Sequence, residues 1–381
     1  MTAYAVDVSR GTALTAVSAQ WAMRPEDEKF LSLSDLLKVT QNRAERSRTI
    51  DIDPTAIRIE PVGNADLTID VAGTAVSPSN YAFGALASAA KAPADYLTSL
   101  PAPMAAGLLR YGLAANAPRE LSAYVDDEAG QLRGLTSPRY GRVFDHQVVE
   151  ALMRFAGNGN GDTRWKVPGT FVPGQWGRMY DPDVPVSKDT TTIFGGDRDI
   201  FVSLVDDRNP IEVGKTARGE PDVMFRGLIV WNSEVGARTL GVSTFYLRGV
   251  CCNRIYWGVE GYKETVLRHT SAAPDRFLSE YQPTLLSFAD GATGDLFAGV
   301  MRAKEAVVAR DDDDRMEFLA RHRFTQTLSR KIIDVHYAEE GKPPETVWDM
   351  AQGITAAARG IAFADERFAM ERRAQKILDR V

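Results

Sequence analysis

Residues 194–213 read FGGDRDIFVSLVDDRNPIEV, residues 225–259 read FRGLIVWNSEVGARTLGVSTFYLRGVCCNRIYWGV, and residues 265–270 read TVLRHT. DIFVSLVDD and GLIVW are nearly continuous apolar runs. Strands half exposed to water alternate apolar with polar, so these two read as interior strands covered on both faces. VSTFYLRGV is a longer strand run, interrupted at Gly249. Gly236, Gly241 and Gly249 permit turns, bulges or close backbone approach. The stretch is also dense in polar groups. Asp197, Arg198, Asp199, Asn232, Glu234 and His269 form the core of its pattern.

Outward from this centre the chain reads as scaffold. Residues 33–39 place Leu33, Leu36, Leu37 and Val39 on an apolar stripe, with Ser32 or Ser34 as N-cap. AIRIEPV and LTIDVAGTAV alternate like strands, with Gly63-Asn64 and Gly73 as turn signals. Residues 78–115 are apolar and helical. ELSAYVD and QLRGLTS flank a turn at Gly130 and predict a hairpin. Asp145 is expected to cap HQVVEALMRFA, and Gly157 to end it. Residues 163–192 carry Pro-Gly pairs, which mark turns in a protruding loop or ribbon. Beyond residue 274 the pattern is helical, with 334–346 as a loop and one long helix from Thr346 to Leu378. The expected class is α+β: a central mixed or antiparallel sheet flanked by helices, with a helical C-terminal region. The expected divisions are 1–115, 116–275 and 276–381.

Composition narrows the function classes. The charged fraction is 25% and the hydrophobic fraction 44%, as in ordinary globular proteins. No apolar run is long enough to cross a bilayer and no secretion signal is legible, so a cytoplasmic, membrane-free protein is expected. The two cysteines, Cys251 and Cys252, are adjacent and point to opposite strand faces, which disfavours a disulfide. No metal motif such as HExxH is present, and the sequence requires no cofactor. The net charge is −6, yet from Arg238 to Arg276 five Arg and one Lys outnumber three acids. That local excess suits an anionic partner.

Taken together, WAMRPEDEKFLSLSDL, FGALASAAKAPADYLTSLP, LTSPRYGRVFDHQVV, GDRDIFVSLVDDRNPIEV, WNSEVG followed by RGVCCNR, and LRHTSAAPDRF resemble the phage- and plasmid-borne family called domain of unknown function 932. The likeness runs from about residue 20 to about residue 300, in one consistent order. One departure is FGGDRD, where a small residue such as Ser is expected beside the Asp-Arg-Asp. The resemblance implies a mobile-element setting. It carries over no activity, ligand or catalytic residue.

The leading expectation is therefore a nucleic-acid-associated protein that binds or anneals single-stranded DNA. Phosphates need Arg and Lys, and bases need aromatic faces. Arg238, Arg248, Arg254, Tyr256 and Trp257 supply both in the centre, and Lys166 and Arg178 supply cations beside the aromatics of the 163–192 ribbon. The competing reading of the same charges is an ion-pair network inside a large sheet. A second expectation is a metal-dependent enzyme acting on nucleic acid or nucleotide, with Asp197, Asp199, Asp206, Asp207, Glu234 and His269 as ligands. A third is a host-interaction or anti-defence protein without catalysis. Val347, Met350, Ile354, Ala357, Ile361, Ala364 and Phe368 recur at three and four, which suits homo-oligomerisation through the C-terminal helix.

Overall fold

The computed structural model describes residues 24–116, 118–174, 177–215, 219, 221–248, 254–255, 265–281, 283, 294–361 and 364–381. The chain is an α+β protein built on two sheets, followed by a helical C-terminal region. In chain order it begins with β1 (Lys29–Phe30), α1 (Leu33–Glu45), β2 (Ser47–Ile52), β3 (Arg58–Val62), β4 (Asp66–Val71) and β5 (Thr74–Pro78). Three helices follow: α2 (Asn80–Ala89), α3 (Ala94–Thr98) and α4 (Ala102–Asn116). The hairpin β6 (Leu121–Asp126) and β7 (Gln131–Thr136) leads into α5 (Asp145–Ala156).

The ribbon β8 (Thr170–Gly174) and β9 (Gly177–Asp181) comes next. Then come β10 (Ile193–Gly195), β11 (Ile200–Lys215), β12 (Pro221–Asn232), β13 (Leu240–Arg248), β14 (Arg254–Ile255) and β15 (Thr265–Leu267). The helices are α6 (Ala273–Arg276), α7 (Gly294–Glu305), α8 (Asp312–Arg321), α9 (Gln326–Glu340), α10 (Val347–Arg359) and α11 (Ala364–Leu378).

The larger sheet runs β1-β10-β11-β12-β13-β14, with β15 also on β13, and every pairing in it is antiparallel. The apolar runs form its centre. Residues 200–207 of β11 are all buried. On one face Leu204, Leu228 and Val242 pack with Leu33 and Leu36 of α1 and Val148 and Leu152 of α5. On the other, Val205, Phe225, Ile229, Phe245 and Leu247 form a separate cluster. Each such buried side chain contributes about 1.5–3 kcal/mol. Two strand glycines serve this second face: the Phe245 ring occupies the Cβ space of Gly227, and the Trp231 ring that of Gly241. β11 changes register between Asp206 and Ile211, where Pro210 has no N–H for the ladder.

The second sheet runs β2-β6-β7-β5-β4-β3 and is mixed, because β5 and β7 pair in parallel. Ile59, Leu67, Ile69 and Val76 pack against Phe83 and Leu86 of α2 and Leu109 and Leu113 of α4. Hairpin β6–β7 belongs to this sheet through β2 and β5, while Lys29–Phe30 crosses to the larger one. Strand partners are a long-range choice that an isolated hairpin pattern does not encode.

The C-terminal helices differ from expectation in two places. α9 continues through Glu340 and stops at Gly341, whose φ of 74° ends it. The expected long final helix is two, α10 and α11, with Gly360 as the C-cap of α10. Val347, Met350, Ile354 and Ala357 are buried in the chain's own core with Val213, Met224 and Ile332. That part of the stripe is used internally; the side chains of Ala364 and Phe368 lie outside the described residues. Among the described residues no helix is long and apolar enough to cross a membrane.

Candidate functional site

The core of the sequence pattern lies where the two sheets meet. β12 ends at Asn232, and the turn to β13 carries Ser233 and Glu234. Ser233 Oγ donates to the Arg198 carbonyl at 2.7 Å and accepts from the Ala237 N–H at 3.0 Å, while Gly236 takes a φ of 96°. This turn aims Glu234 at Arg133 on β7. Their Oε1 and Nη1 atoms are 2.6 Å apart, with each side chain 1% exposed. Glu234 Oε2 accepts the Asp145 N–H at 3.2 Å, and Asn232 Nδ2 donates to Asp145 Oδ1 at 2.8 Å. Arg142 donates to the Glu234 carbonyl and lies 4.0 Å from the Tyr124 ring centre. Tyr140 donates to the Ser233 carbonyl at 2.7 Å and stacks on His269 at 4.7 Å. His269 Nδ1 sits 3.0 Å from the Gly141 carbonyl.

Asp197 and Asp199 take different places around this junction. The Asp197 carbonyl accepts from Arg133 Nη2 at 3.2 Å. The Asp199 carboxylate is fully buried between Arg24 and Arg238, the latter at 3.2 Å. Both guanidinium groups lie over the Phe201 ring.

Electrostatics follows from burial and these partners. Burial, then the Glu234 charge, push the Asp145 carboxyl well above the usual range, against the hydrogen bond from Asn232. Burial also pushes Asp199 up, but the charges of Arg24 and Arg238 and the hydrogen bond from Arg24 outweigh it and hold it low. Burial drives the Tyr124 hydroxyl up to about 12. His269 is held below its ordinary value by burial, against its bond to Gly141. The junction is thus a neutralised charge network that fixes one sheet on the other.

The residues expected to hold nucleic acid are dispersed. Arg248 is buried at the far end of β13, where Nε and Nη2 fork onto Asp222 at 2.7 and 3.1 Å and Nη1 meets Glu340 at 2.5 Å. Lys166 is buried too, with Nζ 2.9 Å from Asp207. These two cations neutralise carboxylates inside the fold, because a buried carboxylate needs a charged partner. Arg238 is 19% exposed and holds Asp199. Tyr256 and Trp257 lie outside the described residues, as do the side chains of Arg178 on β9 and Arg254 on β14 and both cysteines.

The envisaged metal ligands do not converge either. Asp199 meets arginines, Asp207 meets Lys166, Asp206 Oδ1 accepts from Asn209 Nδ2 at 2.6 Å, and Glu234 meets Arg133. Among the described residues no three His, Cys, Asp or Glu gather in a metal-binding arrangement.

A different part of the chain exposes its cations. α8 ends at Arg321, and Thr325 caps α9 by accepting the Leu328 N–H. Residues 321–331, RHRFTQTLSRK, hold four Arg or Lys and no acid. The side chain of Arg321 is 65% exposed, 3.9 Å from Glu317. Arg323 is exposed at a φ of 63°. Arg373 of α11 donates to the His322 carbonyl at 3.0 Å and lies 3.6 Å over the Phe324 ring. Burial, then the charges of Arg380, Arg321 and Arg373, hold His322 below its ordinary value. On α9 a hollow of about 390 Å³ is lined by Gln326, Thr327, Arg330, Lys331 and Asp334. The α9 N-terminus adds the positive end of its dipole. Tyr337, further along the helix, is 58% exposed.

Sequence reading missed Arg133, Arg24 and Asp222 as partners, since each comes from a different element. It also passed over 321–331, although the absence of acids there was visible. No protein-family model, curated protein or solved structure matches the chain.

Proposed function

We propose that this chain binds single-stranded nucleic acid through the exposed basic edge of its C-terminal helices. The observation that carries the reading is the gathering of Arg321, Arg373 and Arg380 around His322, with the hollow that holds Arg330 and Lys331 further along the same acid-free segment. Phosphates are bound by exposed Arg and Lys and by helix N-termini. The exposed Tyr337 ring offers a stacking face that an unpaired base can use and a paired one cannot. Such contacts read charge and stacking, so binding is independent of sequence. The likeness to a phage- and plasmid-borne family supports a setting on a mobile element.

The test is fluorescence anisotropy of a labelled oligo-dT across a salt series. Affinity is expected to fall linearly on a log–log scale, with a slope of about −0.7 for each phosphate contacted. A correctly folded chain that binds no oligonucleotide at low salt overturns the reading.

A further inference from the structure

A second cavity, of about 240 Å³, lies between the distal ends of β11–β13 and the start of α10. Four cations line it: Lys215, Arg248, Lys304 and Lys342. Three carboxylates line it too: Asp222, Glu340 and Asp349. Each carboxylate is compensated from within. Asp222 takes the Arg248 fork and Lys304 Nζ, the latter at 3.0 Å. Glu340 takes Arg248 Nη1. Asp349 takes Lys342 at 3.0 Å and the N–H groups of Glu345 and Thr346 at 3.2 and 3.1 Å.

Lys215 is the cation left over. It is exposed at the end of β11 and pairs with no carboxylate among the described residues. Among its described lining residues the cavity therefore carries one surplus positive charge. Its cations hold donors on several sides, with the buried Arg248 and half-buried Lys304 at the back and the exposed Lys215 and Lys342 in front. Trp348 borders it, with Arg248 and Lys304 at 5.9 and 5.5 Å from the indole centre.

We propose that this cavity is an anion site that takes a phosphate-class oxyanion. A tetrahedral oxyanion accepts charge-assisted bonds on several sides at once, and its charge offsets the unpaired lysine. The exposed lysines swing onto the ligand, while the Asp222–Arg248 fork stays closed behind them. The ligand is either free phosphate or a phosphate of a bound strand. This site is separate from the basic edge and does not depend on it.

The test is a titration of the full chain with inorganic phosphate at constant ionic strength, read by calorimetry and by tryptophan fluorescence. Saturable binding is expected, and Lys215→Ala and Lys342→Ala are each expected to weaken it about tenfold. Trp348→Phe should remove the fluorescence change while calorimetry still records binding. Arg330→Ala with Lys331→Ala should leave phosphate affinity unchanged. An oligonucleotide that competes with phosphate in that double variant assigns the site to a strand phosphate; one that does not assigns it to the free ion. Absent saturation, or equal affinity in the Lys215 and Lys342 variants and the parent chain, overturns the proposal. Intact oligonucleotide binding alongside that failure leaves the basic edge standing.

Discussion

At the junction of the two sheets, Arg133 and Glu234 meet with 1% of each side chain exposed. At the C-terminal edge, Arg321 keeps 65% of its side chain in water. The first region is where the sequence concentrates its unusual polar residues; the second lies in the helical region beyond it. A dense polar motif signals that its residues are constrained. In a sheet protein that constraint is met here by mutual pairing, because a charge removed from water needs a partner. A surface that holds an anion needs the reverse, charges of one sign left uncompensated.

The largest effect that would break this contrast is at the junction. Glu234→Ala strands Arg133 in the interior and is expected to cost about 3–5 kcal/mol in urea unfolding. Replacing both partners by apolar residues of similar volume should recover most of that loss. A Glu234→Ala chain of unchanged stability would make the pair incidental to the fold.

Next is Asp145. Its carboxyl holds a proton more tightly folded than unfolded, so its stabilising contribution is complete below the unfolded value of about 3.9 and is lost as pH rises through the raised folded value. Asn keeps the carbonyl acceptor for Asn232 without titrating. Asp145→Asn should therefore match the parent in acid and exceed it in stability at neutral pH. Thermal unfolding of both chains across pH checks this.

At the edge, Tyr337→Ala should leave stability unchanged and weaken oligonucleotide binding by about 1–3 kcal/mol. The smallest expected effect is on pH. Burial and three arginine charges hold His322 neutral at pH 7, and a neighbouring phosphate favours its protonated form. Binding should strengthen from pH 7 to pH 5 by less than about tenfold, and His322→Gln should flatten the profile in anisotropy.

Much of the fold was legible. The uninterrupted apolar runs of β11 and β12 state burial on both faces, and Gly236 permits the turn between β12 and β13. These are local signals, settled by hydrogen bonds and side chains within a few residues. What was not legible is long-range. Arg248 meets Asp222 from 26 positions away and Glu340 from 92, so no local pattern marks it as paired. The repeating stripe from Val347 shows that α10 is buried but not against what. The cations of 321–331 were visible as letters. Their exposure depends on how α8, α9 and α11 pack, and that depends on the whole helical region.

The most direct measurement is a salt titration of oligo-dT binding by two folded variants, Arg330→Ala with Lys331→Ala and, separately, Arg238→Ala. The double variant is expected to lower affinity and to reduce the salt slope by about 0.7 for each phosphate it no longer neutralises. Arg238→Ala is expected to leave the slope unchanged, because Arg238 is held by Asp199. A slope that falls in Arg238→Ala and persists in the double variant would contradict a basic edge as the binding surface.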